Sequence, residues 1–306
     1  MLGSCAVGLA FDPREALIGD PAGVVSIYLC PRRSRERALV RAKLGLVTER
    51  ARSWPAADRR ALRRRLPAMQ RQLADAMERA EAAGAPGVAA FFGVASGTFR
   101  EVPVSVPVSC SVSVDAHARV GQLIRAAQAS APVGLLEVHR DGVRALEVRG
   151  DLPPVAPLVG GEDWEFALLS GLDGRRAEAC GANTVRVTEP LLTPGEQLSA
   201  AAREAIFLER RRRQCRLLDE VVAEVSHGGA AVAGLAAVER TLASGTVEVL
   251  LVTDPAPSPV ATLGWPRRAE RLVRLACEQG VTTVVLAEWT ASRAPRGFEG
   301  VAARVR

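Results

Sequence analysis

The sequence has few of the residues that build catalytic and metal centres. Its three histidines lie far apart and show no pairing with a nucleophilic serine or cysteine: His117, His139 and His227. Its six cysteines are scattered and form no C-x-x-C pair, which argues against both a zinc site and a disulfide framework. The sequence therefore predicts no metal site and no cofactor.

Long apolar runs are also missing. None reaches membrane-spanning length, and the amino-terminal residues lack a basic segment followed by an apolar core, so we expect a cytoplasmic protein without a membrane partner. With 48% hydrophobic and 24% charged residues, the composition is that of a globular chain. Its 306 residues are enough for two or three domains.

Lysine is almost absent, since Lys43 is the only one, and arginine carries the net charge of +6. Residues 1–103 hold 17 basic and 10 acidic groups, residues 104–225 hold 14 and 17, and residues 226–306 hold 9 and 7. Residues 32–71 alone hold 14 basic side chains against three acidic ones. This concentration indicates a surface that contacts nucleic-acid phosphates. The alternative is a solvated helical face.

Hydrophobic periodicity divides the first third of the chain into strands and a helical hairpin. We predict strands at 24–30, 88–94 and 99–108, and helices at 34–53 and 56–83. Pro67 should kink or split the second helix, because proline lacks the N–H that an interior helical position donates.

The central third should contain a helix at 117–130, a hairpin of strands at 133–139 and 143–149, and a long helix at 199–225. Residues 150–198 are rich in turn signals and should form loops with short strands. Four consecutive arginines spread over all sides of the long helix, so some must face solvent or a partner: Arg210, Arg211, Arg212 and Arg213.

The last third has the αβαβ pattern of a small α/β sandwich. A helix-period run from Val232 to Leu242 is followed by Gly245 and a strand at 247–252. A second helix at 268–277 leads to a strand at 281–287.

These features resemble the archaeo-eukaryotic release factor and Pelota group. The last domain of that group has a helix, a Gly-x-Val-Glu segment and an apolar strand, and here the segment is Gly245-Thr246-Val247-Glu248. Gly300-Val301-Ala302-Ala303 stands where the group has a short closing strand. The opening VVSIYL and the later GVAAFFG are similar to the first domain of the group. The resemblance is to its bacterial members in particular, which include Balon-like ribosome hibernation factors.

The resemblance implies an α/β protein of three domains. An α/β N-terminal domain with a helical hairpin would span residues 1–103, a ribonuclease-H-like central domain 104–226, and a C-terminal α/β sandwich of the L7Ae/L30e kind 227–306. Fold likeness does not bring nuclease chemistry. The resemblance further implies that the protein binds ribosomal RNA in the A site and a translation GTPase such as elongation factor Tu, with no DNA expected.

Release factors of this group hydrolyse peptidyl-tRNA with a Gly-Gly-Gln loop just before the long central helix. The corresponding residues here are Gly195, Glu196 and Gln197. Glutamate should disfavour a backbone with φ > 0 and a close approach to RNA, because it has a Cβ and a negative charge. A second near match is Gly160-Gly161-Glu162. The first segment also fits an ordinary helix start, with Thr193 as a cap and Glu196 as a first-turn charge.

Stop-codon reading in the eukaryotic factors needs an Asn-Ile-Lys-Ser loop at the tip of the helical hairpin. The tip here, residues 50–55, lacks that motif but offers arginine for phosphates. Trp54 would either stack on a base or pack the turn. The predicted RNA-binding residues are Arg50, Arg52, Trp54, Arg59, Arg60, Arg63, Arg64 and Arg65, together with Arg210, Arg211, Arg212 and Arg213.

The loss of both signature motifs predicts a ribosome-binding protein that occupies the A site without hydrolysing peptidyl-tRNA, as in hibernation or the sensing of stalled ribosomes. No catalytic residue is expected in that case. Two alternatives stay open. One is a peptidyl-tRNA hydrolase that rescues ribosomes with the loop at 193–197, and the other is an RNA-binding protein that never meets the ribosome.

Overall fold

The computed structural model of the chain describes residues 13–16, 18–31, 38, 40, 44–45, 47–49, 51–139, 142–150, 154, 164–171, 183–253 and 267–306. These residues form a mixed α/β fold with three four-stranded sheets. The described residues within Ala127–Leu217 make up one compact unit, and those within Phe11–Ala126 and Leu218–Arg306 make up another.

The first sheet is antiparallel and contains β1 (Gly19–Leu29), β2 (Gly87–Gly93), β3 (Phe99–Val104) and β4 (Ser111–His117), in the order β3-β2-β1-β4. Successive side chains of a strand point to opposite faces, and both faces of β1 are buried. Val25, Ile27 and Leu29 belong to one apolar cluster, whereas Val24 and Tyr28 belong to another. The three strands predicted in this region are confirmed, although β3 ends earlier than predicted.

Helix α1 (Ala56–Ala82) buries Leu62, Met69, Leu73 and Met77 in the apolar cluster that holds Val25 and Ile27. The helix is not split at Pro67, in contrast to one outcome predicted from the sequence. Pro67 is exposed, and so is Arg63 four residues earlier. The carbonyl of Arg63, which proline leaves without a helical partner, can therefore bind water.

The helix predicted at 34–53 is described only in part. Residues 38, 40, 44–45 and 47–49 are helical, and Ala51–Ser53 forms a 3-10 turn. Arg50, a predicted RNA-binding residue, lies outside the described residues.

Strand β4 lies where the sequence predicted a helix start at His117 and beyond the domain boundary predicted at residue 103. The helix predicted from His117 begins only at Gly121, as α2 (Gly121–Ala129), because Ser111–His117 pairs with β1 instead. This segment reads SVSVDAH, and its alternation of polar and apolar residues is typical of a strand. The first sheet therefore continues past the boundary predicted at residue 103.

The second sheet contains β5 (Val133–His139), β6 (Gly142–Val148), β7 (Phe166–Gly171) and β8 (Thr184–Arg186), in the order β6-β5-β7-β8. Strands β5 and β6 form the predicted antiparallel hairpin, while β7 runs parallel to both β5 and β8. The long helix is confirmed as α3 (Ala200–Ser226), and its Ala202 joins Leu135, Leu168 and Leu191 in the core. The near match Gly160-Gly161-Glu162 lies outside the described residues.

The third sheet contains β9 (Ala231–Ala233), β10 (Val247–Thr253), β11 (Thr282–Leu286) and β12 (Val301–Val305), in the order β11-β10-β12-β9. Strands β10 and β11 are parallel, and β12 pairs antiparallel with β10 and β9. The helices are α4 (Leu235–Ala243), α5 (Arg267–Glu278) and the short α6 (Glu288–Ala291).

The predicted αβαβ order and the closing strand are confirmed, with one correction. Val232 lies in β9 rather than in the helix, because Gly234 breaks the run with a φ of 87° before α4 begins. Gly245 follows α4 with a φ of 71°, a left-handed conformation that glycine adopts without steric cost. The chain can then turn directly into β10.

Candidate nucleic-acid interface

Helix α1 carries a row of arginines on the side opposite its apolar residues. Arg60, Arg63, Arg64 and Arg71 are all exposed and lie at helical spacings of three, four, seven and eight residues. From Arg60 to Arg71 the row extends about 16 Å, given a rise of 1.5 Å per residue. We call these four residues the α1 arginine row.

The α1 arginine row has no intramolecular counter-ion in the part of the chain that the structure describes. None of its four guanidinium groups has a hydrogen bond or an ion pair there, whereas Arg79 on the same helix pairs with Glu101 at 2.6 Å. Exposed guanidinium groups without counter-ions can bind phosphate oxygens without first breaking an internal contact. Arg71 was missed as a candidate, although its spacing of seven from Arg64 places it on the same face.

Other predicted arginines near the hairpin tip have internal partners. Arg52 forms an exposed ion pair with Glu49 at 3.2 Å, and Arg59 donates to the backbone carbonyl of Arg52 at 2.9 Å. Arg65 donates to the carbonyl of Ala95 at 3.4 Å and packs over Gly97. Each of these three side chains therefore has an internal contact to give up before it binds RNA, which the α1 arginine row does not have in the described chain.

Trp54 is half-buried and packs against the first sheet. A Cβ placed on Gly23 would lie only 2.8 Å from the ring, so the ring covers this glycine directly. The contact supports the packing interpretation of Trp54 over base stacking, because one side of the ring is occupied by β1.

Asp20 holds the turn between β2 and β3 that lies beside Arg65. Its buried carboxylate accepts hydrogen bonds from the backbone N–H groups of Ala22, Ala95 and Ser96 at 2.8–2.9 Å. Burial alone would raise the pKa of Asp20, but these N–H groups and the Ser96 hydroxyl favour the charged form and hold the pKa below its ordinary value. The turn is thus fixed by one ionised side chain.

The segment 193–197 forms a compact loop directly before α3. The N–H of Glu196 donates to the Thr193 carbonyl at 2.9 Å, the N–H of Thr193 donates to the Gln197 carbonyl at 2.8 Å, and Leu192 bridges Leu198. Thr193 does not cap the helix as predicted, since its hydroxyl accepts from the N–H of Gln197. The cap is Ser199, whose hydroxyl accepts from the N–H of Ala202 at 3.1 Å.

Glu196 itself has a φ of 56°, one of two non-glycine residues with positive φ in the described chain. This is the residue that the sequence resemblance predicts at the second glycine of a release loop. Its carboxylate pairs with Arg144 of β6 at 2.8 Å, and Arg144 also lies 4.0 Å from Glu137. The loop thus keeps a backbone conformation that favours glycine while presenting a charged side chain.

The four arginines of α3 separate into two kinds. Arg210 donates to Glu165 at 3.0 Å and to the carbonyls of Ala129 and Ala131, both at 2.8 Å. Because Ala129 is the last residue of α2, Arg210 places a cation at the carboxyl end of that helix, where it is favourable. Arg210 therefore holds the fold of this unit together.

Arg213 also points inward. Its guanidinium lies 5.0 Å above the ring of Phe166, donates to the carbonyl of Glu165 at 3.1 Å and pairs with buried Glu209 at 3.0 Å. Arg211 and Arg212 are exposed, and Arg212 also lies 3.8 Å from the Glu209 carboxylate that pairs with Arg213. Of the four predicted arginines, only these two are placed to meet an external phosphate.

Within the described residues, no group of three or more His, Cys, Asp and Glu side chains is arranged to hold a metal ion. The described helices also include none that is long and apolar enough to cross a membrane.

No protein-family model matches the chain, and no curated protein matches it. Solved structures do match. An archaeal translation termination factor, aRF1, is 17% identical over 94% of this chain and 94% of its own, with a TM-score of 0.28. Archaeoglobus fulgidus Pelota is 15% identical over 72% of this chain and 79% of its own, with a TM-score of 0.34.

S. cerevisiae Dom34, described as a translation termination-like factor that interacts with Hbs1, is 9% identical over 68% of this chain and 73% of its own, with a TM-score of 0.42. All three structures belong to the release factor and Pelota group that the sequence resembles. At these identities and TM-scores the likeness does not extend to function.

Proposed function

We propose that this protein binds the ribosome as a release-factor-like factor and occupies the A site without hydrolysing peptidyl-tRNA. The observation that carries the proposal is the α1 arginine row, four exposed guanidinium groups without a counter-ion in the described chain. A cationic row about 16 Å long matches several consecutive phosphates of an RNA strand and carries no base specificity by itself.

The absence of hydrolysis in this proposal rests on Glu196. In a reaction centre made of RNA, a carboxylate next to the catalytic glutamine position adds negative charge where phosphates already surround the substrate. The same charge repels a hydroxide or an activated water, and a donor rather than an acceptor is needed to stabilise a developing oxyanion. Such a factor would act on idle or stalled ribosomes.

One observation favours the second candidate function, a rescue hydrolase. Glu196 has the left-handed backbone that the second glycine would favour, and Gln197 follows it directly before α3. An ordinary helix start needs no such conformation. A peptide-release assay on ribosomes that carry peptidyl-tRNA separates this candidate from the first.

The partners in this proposal follow from the resemblance. The segment with α1 would face the decoding centre, the segment with the 193–197 loop would face the peptidyl-transferase centre, and the carboxyl-terminal segment would meet a translation GTPase such as elongation factor Tu. A protein that binds RNA elsewhere in the cell is the third candidate.

Cosedimentation with 70S ribosomes at two salt concentrations tests the proposal. The test variant reverses three charges of the α1 arginine row, Arg60→Glu, Arg63→Glu and Arg64→Glu, whose guanidinium groups have no hydrogen bond or ion pair in the described part of the chain. The matched control reverses three exposed arginines of the carboxyl-terminal segment, Arg240, Arg268 and Arg296. Each phosphate contact removed should flatten the slope of log affinity against log salt by roughly one unit.

We expect the test variant to lose binding with a slope lower by about two to three units, and the control to keep most of the affinity. Equal losses of ribosome affinity in both variants would mean that binding depends on the net charge of the protein and not on the α1 arginine row. Unchanged binding in the test variant would place the interface elsewhere, and no binding by the unmodified protein would favour the third candidate.

A further inference from the structure

The 193–197 loop has one polar contact with more distant parts of the described chain. Hydrogen bonds among residues 191–199 close the loop on itself. All five loop residues are exposed, and a Cβ placed on Gly195 would meet no atom within 4 Å. Beyond residues 191–199, the hydrogen bonds and ion pairs of the described chain connect the loop only to Arg144, which pairs with Glu196 at 2.8 Å.

Arg144 has a second carboxylate beside it on the sheet. It lies in β6 directly opposite Glu137 of β5 in the register of the hairpin, so the two side chains are cross-strand neighbours on one face. The Glu137 carboxylate lies 4.0 Å from the Arg144 guanidinium, and its side chain is 13% exposed against 70% for Glu196. Arg144 thus lies between a mostly buried carboxylate on the sheet and an exposed one on the loop.

Glu196 is also the loop residue with a left-handed backbone. A φ of 56° is disfavoured for a residue with a Cβ, so neighbouring structure has to hold it there. The N–H of Glu196 donates to the Thr193 carbonyl, and its carboxylate pairs with Arg144. The turn and the ion pair therefore act on the same residue, and the ion pair directs its carboxylate toward the β5–β6 hairpin.

A free carboxylate in this loop would oppose the RNA contact that the proposed function assigns to it. At about 4 Å from a phosphate in water, one such charge lowers affinity by about fivefold. We propose that Arg144 is a positioning residue that ties the 193–197 loop to the β5–β6 hairpin and holds the Glu196 carboxylate away from RNA. The paired carboxylate still has no proton to donate to an oxyanion, so the ion pair does not by itself favour hydrolysis. This inference rests on the proposed function, in which the loop faces RNA, and it adds the residue that makes an acidic loop compatible with that contact.

The test applies two measurements to Arg144→Gln, Glu196→Gln and the double variant. Hydrogen–deuterium exchange of the free protein follows the backbone N–H groups of residues 193–197, and cosedimentation at low salt measures the affinity for 70S ribosomes without A-site tRNA. Arg144→Lys is the conservative variant, because it keeps a flexible cation at this position. The matched control is Arg271→Gln, which removes one positive charge and one exposed ion pair, to Glu239 at 3.5 Å, in the carboxyl-terminal segment. Thermal unfolding checks that every variant is folded.

We expect Arg144→Gln to speed exchange in the loop by up to about fivefold, the limit for loss of an exposed ion pair. Its affinity for ribosomes should fall by about fivefold, because the Glu196 carboxylate is then free to approach phosphates. Adding Glu196→Gln should restore this affinity to within about twofold, since no carboxylate is left to repel RNA, while exchange in the loop stays fast. Glu196→Gln alone should speed exchange without loss of affinity. Arg144→Lys should stay within about twofold of the unmodified protein in both measurements, and Arg271→Gln should change neither.

Unchanged loop exchange in Arg144→Gln would overturn the inference, because the ion pair would then not hold the loop. Faster exchange with no change in ribosome affinity would also overturn it, since the ion pair would have no part in RNA binding. So would a loss of affinity that Glu196→Gln fails to restore, because Arg144 would then contact a phosphate itself. Failure here is distinct from failure of the proposed function. Loss of cosedimentation on reversal of the α1 arginine row would still support ribosome binding, whatever Arg144 does.

Discussion

At the scale of single residues, Glu196 is the position where the two main functional candidates differ. Its φ of 56° and its contact with Arg144 give the loop a defined conformation. Replacing it with glycine relieves about 1–2 kcal/mol of left-handed strain, whereas the lost exposed ion pair and the added entropy of the unfolded chain each cost about 0.2–1 kcal/mol. These effects oppose one another, so we expect Glu196→Gly to fold with a stability within about 1 kcal/mol of the original.

Because Glu196→Gly should leave the stability nearly unchanged, its effect on peptide release reports on the loop itself. We expect the unmodified protein to release no peptide from ribosomes that carry peptidyl-tRNA, and Gln197→Ala to alter neither release nor ribosome binding. Glu196→Gly restores Gly-Gly-Gln and should give measurable release if the loop descends from a hydrolytic one. Robust release by the unmodified protein, abolished in Gln197→Ala, would instead establish the rescue hydrolase.

A second prediction for a single residue concerns the ionised carboxylate of Asp20. Its lowered pKa means that its contribution to stability is present above the unfolded value near 3.8 and is lost as pH falls through the lower, folded pKa. Asp20→Asn should cost about 1.5–3 kcal/mol at pH 7, because an amide cannot accept all three N–H groups as a charged acceptor does. Urea unfolding at pH 7 and at pH 3 measures the free energy of unfolding of Asp20→Asn and of the unmodified protein.

The difference in unfolding free energy between Asp20→Asn and the unmodified protein should be smaller at pH 3, because the Asp20 carboxylate begins to be protonated there. Glu78→Gln is the control, since Glu78 is exposed on α1 and has no contact in the described chain. A cost for Asp20→Asn that is the same at both pH values would show that the ionised form is not what holds the turn.

At the scale of elements, the two kinds of arginine on α3 lead to opposite expectations. Arg210→Ala leaves the carbonyls of Ala129 and Ala131 and the carboxylate of Glu165 without their donor, so we expect a loss of about 2–4 kcal/mol in unfolding free energy. Arg212→Ala, two positions along, should change stability by no more than about 0.5 kcal/mol.

RNA binding should show the reverse order. Arg212→Ala should lower the salt slope by roughly one unit, while Arg210→Met at a temperature where it stays folded should leave the slope unchanged. Equal effects of both changes on the slope would mean that Arg210 leaves its internal contacts when RNA binds.

The same helix shows what sequence can and cannot reveal. Its length and position follow from apolar periodicity, and so do those of α1, β10 and β11. The roles of its arginines do not. Arg210 meets Glu165 and the end of α2, and Arg213 donates to the side-chain oxygen of Asn183, only because the folded unit brings these distant segments together. Likewise β9 has three residues, too few for a period to be read. The alternation of β4 is visible in the sequence, but its pairing with β1, more than eighty residues earlier, is not.

At the scale of the whole molecule, one apolar cluster joins parts of the chain that the sequence assigns to separate domains. It contains Tyr28 and Phe91 of the first sheet, Leu123 of α2 and Leu272 of α5. A polar contact crosses the same region, since Glu270 of α5 accepts a hydrogen bond from the N–H of Gly121 at 3.0 Å. The first sheet therefore has one face covered by α1 and the other buried in a cluster that includes carboxyl-terminal residues.

This arrangement gives a prediction about truncation. A boundary at residue 226 predicts that residues 1–226 fold without the rest, but removal of 227–306 takes away α5, whose Leu272 and Val273 share one apolar cluster with Tyr28 and Phe91. We expect part of that cluster to become exposed to water, at a cost of about 25 cal/mol per Å² of apolar surface. That loss is large against a total stability of roughly 5–15 kcal/mol.

We expect the fragment to aggregate, or to bind a hydrophobic dye such as ANS and to unfold without a sharp transition. Size-exclusion chromatography, ANS fluorescence and thermal unfolding measure this, with the full chain as the reference. A monomeric fragment with a cooperative transition and no dye binding would show that the first sheet is complete by itself and that the boundary at 226 separates independent domains.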